Sequence, residues 1–147
     1  MNLYKKYLVK VQLVREKAAK KLVSSPAEVL KLVKVEMEKF DREYLISIYL
    51  DAANQVVAIE ECSKGTLNAA PISSREVYKA GILCNAMSLI ILQNHPSGEC
   101  KPSEDDIKVT KMLSDAGEIL GIKLLDHIIV GANDTYMSFK ERGLIQG

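Results

Sequence analysis

The residues whose chemistry stands out lie between positions 93 and 106: Gln93-Asn94-His95-Pro96-Ser97-Gly98-Glu99-Cys100-Lys101-Pro102-Ser103-Glu104-Asp105-Asp106. An amide, an imidazole, a hydroxyl and a carboxylate here follow a continuous apolar run and lead into a helix start. Gln93 and His95 are two apart, so at a strand end both side chains point to the same side. Pro96 holds His95 extended and ends the strand. Gly98 lets the chain turn back. Ser103 opens a Ser-x-x-Asp cap, which places Asp106 in the first helical turn, facing the strand end. Binding groups gather at such carboxyl ends of strands in open α/β sheets. The plain alternative is that Ser103 and Asp106 only cap a helix and His95 only braces a loop.

Periodicity and caps name the elements that must hold this segment. Tyr7, Val9, Val11 and Leu13 alternate, so residues 7–14 read as a strand. Ser25-Pro26-Ala27-Glu28 starts a helix running to about Phe40, with Leu30, Val33 and Met37 inward. Residues 44–50 and 55–62 form a hairpin around Asp51-Ala52-Ala53-Asn54. Ser73-Ser74-Arg75-Glu76 is a second capping box, opening a helix to about Met87. The run 88–93 is apolar throughout, the pattern of a buried central strand. Ser103 caps a third helix with Val109, Met112, Leu113, Ala116 and Leu120 along one face, and Gly121 stops it. Strands over 122–130 and 135–139 close the order β-α-ββ-α-β-α-ββ. Helices alternating with buried strands predict a helix–sheet–helix sandwich, and the hairpins make its sheet mixed.

The segment 93–106 resembles the JAMM (MPN-plus) metalloprotease motif, and within that family its RadC-like bacterial branch. The family pattern is His-x-His, seven residues, Ser, two residues, Asp; here 96–102 are the seven, followed by Ser103 and Asp106. The likeness extends to Gly65-Thr66-Leu67-Asn68-Ala69, to Ser74-Arg75-Glu76-Val77, to residues 121–131 and to Lys140-Glu141-Arg142-Gly143-Leu144, and so covers nearly the whole chain. It implies a cytidine-deaminase-like fold carrying one zinc, held by two His and one Asp with water in the fourth place, the open geometry of catalytic zinc. Carried over by position, His95 and Asp106 are ligands and Ser103 helps hold the oxyanion. Glu43, just before Tyr44, matches the family's general base, with Glu60 and Glu61 as rivals on the neighbouring strand. One departure stands out: the first ligand position is Gln93, whose neutral amide oxygen is a weaker zinc ligand than imidazole. Cys100 and His127 are the other groups that could fill its place.

The resemblance implies a zinc-dependent hydrolase of an amide or isopeptide bond, with a peptide or isopeptide substrate. The alternatives are a binding or scaffold module that keeps the fold without the chemistry, and a nucleic-acid role, because RadC-like proteins carry a DNA-repair label. The helix-hairpin-helix segment that often precedes the domain in RadC proteins is not expected within these 147 residues, which weakens the expectation of direct DNA binding. Residues 1–25 hold seven Lys or Arg against one acid, Glu16, in a chain of net charge +1, so a basic arm over 1–24 could meet phosphates or simply be solvated. Aromatic residues are 5% with no Trp, which disfavours a base-stacking platform. At 147 residues, 48% apolar and 27% charged, the chain reads as one globular domain rather than a disordered segment. It has no apolar run of the ~18–20 residues that a membrane span needs and no leader-like start, so a cytoplasmic protein is expected. Three cysteines without a CxxC pair argue against a disulfide framework. Asp126 and His127 read as a buried hydrogen-bonded pair.

Overall fold

A computed structural model describes residues 3–9, 21–64 and 72–145. The helices are α1 (Leu3–Tyr7), α2 (Pro26–Met37), α3 (Ser74–Leu83) and α4 (Glu104–Leu120). The strands are β1 (Tyr44–Leu50), β2 (Val56–Lys64), β3 (Ser88–Asn94), β4 (Lys123–Val130) and β5 (Tyr136–Ser138). They form one sheet in the order β2-β1-β3-β4-β5. β3 and β4 are parallel, joined by the α4 crossover, and the other pairs are antiparallel. The sheet is therefore mixed, as the hairpins in the sequence require.

Both faces of the sheet are covered, which is why β1 and β3 are apolar without alternation. On one face α2 lays Val29, Val33 and Met37 against Ile46, Ile48, Leu50, Ile90, Leu92 and Ile128. On the other, Val77 and Tyr78 of α3 and Leu113 of α4 pack on Leu45, Tyr49, Leu89, Ile91 and Ile129. This is the expected helix–sheet–helix sandwich. Ser25 caps α2 by accepting from the Glu28 amide at 3.3 Å, with Pro26 in the first turn.

Three expectations are corrected. Tyr7 closes a short helix instead of opening a strand, and Leu8 and Val9 are not in one either; no residue from Leu3 to Tyr7 is β-branched. The rest of that expected strand, most of the basic arm and the stretch Gly65-Thr66-Leu67-Asn68-Ala69 lie outside the described residues. Ser73 stands at the N-cap of α3 without a side-chain cap bond, and Glu76 instead pairs with Lys79 at 3.5 Å. Finally, α4 is rotated from the expected face. Its inward row is Asp106, Thr110, Leu113 and Gly117, while Met112 and Leu120 are exposed. Two of those inward residues are polar and one has no side chain, so an apolar stripe could not reveal them.

Gly117 marks the closest approach of α4 to its neighbours. A Cβ there would lie 2.4 Å from both the Tyr78 hydroxyl and the Ile122 carbonyl oxygen. Tyr78 reaches across from α3 and donates to the Leu113 carbonyl at 2.6 Å. Gly117→Ala should therefore lower unfolding free energy by about 1–3 kcal/mol through overpacking, against the ~1 kcal/mol that Ala would add in an open helix. Urea denaturation of the two forms checks this. An unchanged or raised midpoint would show that α3 and α4 are not held at this distance.

Candidate metal centre

The site forms where β3 ends, beside the start of β1 and the N-terminus of α4. Leu45 pairs with Gln93 in the antiparallel β1–β3 register, and two residues further along that register Glu43 comes opposite His95. Asn94 fixes this approach. Its side-chain oxygen accepts from the Tyr44 amide at 2.7 Å and its nitrogen donates to the Arg42 carbonyl at 2.8 Å, gripping the chain on both sides of Glu43. The Phe40 and Tyr44 rings stack at 3.9 Å beside it.

Asp106 is placed by its helix. Ser103 and Asp106 form a complete capping box, with the Asp106 amide donating to Ser103 Oγ at 3.0 Å and the Ser103 amide donating to Asp106 Oδ2 at 2.8 Å. The same carboxylate faces the strand end. Oδ2 lies 3.1 Å from His95 Nε2, and Oδ1 accepts from Gln93 Nε2 at 2.8 Å. Burial would push this carboxyl up, but the Ser103 amide, the Gln93 amide, the Ser103 hydroxyl and the neighbouring His95 together hold it below the usual carboxylate value. Capping and a site role coexist in one residue.

His95 is oriented from behind. Its Nδ1 lies 3.0 Å from the Glu99 carbonyl, which can accept an Nδ1–H, and its Nε2 lies on the opposite side of the ring, 3.1 Å from Asp106 Oδ2. Ligating imidazoles are commonly held this way, by a carbonyl on the second nitrogen. The turn that carries Glu99 uses Gly98 at φ +82°, a left-handed conformation that favours glycine.

Gln93 is the hub. It is 5% exposed. Its Nε2 donates to Glu43 Oε1 and to Asp106 Oδ1, and lies 3.3 Å from His95 Nε2. Its Oε1 lies 3.0 Å from His127 Nε2. His127 is fully buried, stacked on Phe139 with ring centroids 4.6 Å apart, and its Nδ1 lies 2.6 Å from Thr110 Oγ1. Burial pushes the His127 pKa down to about 4, with the Asp106 charge opposing and His95 reinforcing. The imidazole is neutral near pH 7 and carries one proton.

Glu43, His95 and Asp106 each offer a ligand atom, all within 4.8 Å of one another. Donors at ~2.0–2.2 Å from one zinc in tetrahedral geometry stand about 3.3 Å apart. The end groups of Gln93, His95 and Asp106 form a triangle in which Gln93 Nε2 lies 2.8 Å from Asp106 Oδ1 and 3.3 Å from His95 Nε2, and His95 Nε2 lies 3.1 Å from the other carboxylate oxygen, Oδ2. The donor set thus fits a divalent cation in spacing. In chemistry it fits when the amide oxygen, rather than the nitrogen, is the corner of that triangle.

Gln93, His95, Asp106 and Glu43 are thus brought together, and Ser103 adjoins them through its cap. Glu60 and Glu61 are not members of the cluster; Glu60 instead accepts from the Tyr49 hydroxyl at 3.3 Å. Cys100 is also outside it, its thiol 3.2 Å from Thr135 Oγ1. His127 stands behind Gln93 rather than in the cluster. Asp126 and His127 form the expected buried hydrogen-bonded pair, made through the His127 backbone amide at 2.8 Å; the Asp126 carboxylate also accepts from Ser138 Oγ at 2.5 Å and from the Lys140 amide at 3.0 Å. Sequence reasoning missed Thr110, although its place one turn after Asp106 puts it on the same helix face. It also missed Asn94 and Phe139, for which no local pattern gives a signal.

The RadC-like JAB domain matches residues 23–144. A UPF0758 protein of Desulfitobacterium hafniense is 44% identical over 124 residues, covering 84% of this chain and 54% of that protein. A UPF0758 protein of Desulforudis audaxviator is 47% identical over 122 residues, with coverage of 83% and 53%. The chain spans about half the length of the curated relatives it matches. No helix among the described residues is long and apolar enough to cross a membrane. A match over most of the chain, relatives at this identity and a five-stranded mixed sheet between helices lead to one conclusion: the chain belongs to the RadC-like JAB domain family.

Proposed function

We propose that this JAMM/MPN-type domain is a zinc-dependent hydrolase of an amide or isopeptide bond in a peptide-like substrate. The observation that supports the reading most is the convergence of Glu43, His95 and Asp106, with donor atoms within 4.8 Å, in a chain of this family. His95 Nε2, an Asp106 oxygen and the Gln93 amide oxygen would hold the ion. Zinc supplies a water of lowered pKa and a Lewis-acid pull on the scissile carbonyl. Glu43 is exposed beside the cluster, where its carboxylate can take the water's proton and pass it to the leaving nitrogen. Ser103 accepts one hydrogen bond from the Asp106 amide and keeps its own O–H to donate to a developing oxyanion.

A second reading, a binding or scaffold module, is favoured by one observation: the Gln93 amide already satisfies Glu43, Asp106 and His127 without an ion. A nucleic-acid role stands as a third expectation, whose test is a salt-dependent affinity for DNA.

Zinc titration by calorimetry separates the first two. Gln93→His exchanges an amide for an imidazole at the triangle's corner and should raise zinc affinity by at least about tenfold, ~1.4 kcal/mol. Equal affinity would mean that residue 93 does not face the ion. On a panel of peptide and isopeptide substrates, Glu43→Gln should lower the zinc-dependent rate by on the order of 10²–10⁴-fold. No zinc-dependent turnover by the native chain or by Gln93→His would favour the scaffold reading.

A further inference from the structure

We infer that the outward face of α4 is a docking surface for a second copy of this chain, which lays its own α4 antiparallel across it about a dyad on the side opposite Leu113. The inference goes beyond the cation site and does not depend on it.

α4 has two unlike sides. Its inward row is Asp106, Thr110, Leu113 and Gly117. On the other side Ile107, Lys108, Lys111, Asp115, Glu118 and Ile119 are all exposed. Two of these six are isoleucines, on the side that a surface helix normally fills with polar residues. Ile107 is 44% exposed and Ile119 is 86% exposed. Lys111 and Asp115 pair within the helix at 3.2 Å. Lys108 and Glu118 make no ion pair among the described residues. The face therefore holds two uncovered isoleucines and two unpaired charges of opposite sign.

The order of these residues is what fits a second copy. At about 100° per residue, positions equally far before and after Leu113 lie at equal angles on either side of the line opposite it, and at equal heights above and below it. A dyad along that line sets them against each other in an antiparallel pair. Lys111 meets Asp115, each two residues from Leu113; Lys108 meets Glu118, five residues out; Ile107 meets Ile119, six residues out. Each charge of this face thus meets its opposite, and each isoleucine meets an isoleucine. The contact is isologous, so every pair occurs twice. Lys111 then stands between its own Asp115 and that of the second copy, and Lys108 and Glu118 gain the partners they lack. Ile107 also lines a groove of about 860 Å³ that Leu144 shares, so the incoming Ile119 enters a concave seat. Helices pack readily at such near-antiparallel crossings. The contact is about 18 Å long and one helix wide, smaller than a standard stable interface, so the dimer is weak and dissociates on dilution. Asp106 faces inward, so both metal-binding clusters stay uncovered, one at each end of the pair.

The test is sedimentation equilibrium of the full chain from about 10 μM to about 1 mM, at ~0.05 M and ~0.5 M salt. Association is expected at the lower salt and should weaken by at least about threefold at the higher, because exposed ion pairs are screened. Asp115→Lys and Lys111→Asp each set like charges against each other twice. Each should weaken self-association by at least about tenfold and keep the native circular dichroism, since both side chains are exposed. Mixed in equal amounts, the two variants should associate again, because each Lys of one then meets an Asp of the other. The mixture does not restore the pair within either helix, so its recovery reads the contact between copies alone. A chain that stays monomeric at low salt, its α4 face solvated or kept for a different protein, would overturn the inference. So would association that salt leaves unchanged, a dimer that either single variant leaves unweakened, or a mixture that stays apart.

Discussion

The structure of this site depends on one buried amide. Gln93 sits at the end of a central strand, with carboxylates and an imidazole on one side and a second imidazole on the other. Each neighbour makes a demand on one particular end of that amide. A buried polar group left without a partner costs about 1–3 kcal/mol, so the orientation of Gln93 and the protonation of its neighbours settle together. A histidine at this position would present a ring nitrogen to an ion without turning over. The glutamine makes the same corner conditional, because it is a donor or an acceptor according to which way it faces.

The fold supplies the constraint that brings these groups together. β3 lies at the centre of the sheet, with β1 on one side and β4 on the other. Antiparallel pairing brings the start of β1, and so Glu43, to the end of β3. Parallel pairing to β4 requires a crossover, and that crossover is α4, whose N-terminus returns to the same end. Asp106 is then held there by its own capping box. Acidic residues in a first helical turn are favoured by the helix dipole, which suits a carboxylate that must remain charged while mostly buried. Thr110, one turn further along, reaches the His127 ring. Strand end, helix start and buried imidazole thus form one connected unit.

Much of this was legible in the sequence. The apolar run of β3, the Ser103 cap and the spacing from Gln93 to Asp106 are local patterns, and local patterns survive folding. Glu43 was reached through family resemblance, and the β1–β3 register supplies its physical reason. What remained hidden depends on contacts between distant segments. The inward face of α4 carries Asp106, Thr110 and Gly117, which an apolar stripe cannot show. The role of His127 follows from Gln93, Thr110 and Phe139 meeting around one ring, and no spacing along the chain encodes that. Tyr7 closes a helix although its alternation with Val9 suits a strand, because so short a stretch of alternation does not decide between the two. The segment starting at Ser73 has the residue types of a cap without the bond, so composition at a helix start does not guarantee its closure.

Crystals of the protein grown with zinc, measured for anomalous scattering at the zinc edge, test the central claim most directly. The account predicts a single peak bounded by His95 Nε2, Asp106 and Gln93, with the amide oxygen toward the ion and the amide nitrogen toward His127. An ion bound elsewhere, or no ion, or an amide whose oxygen still faces His127 beside a bound ion, would contradict it.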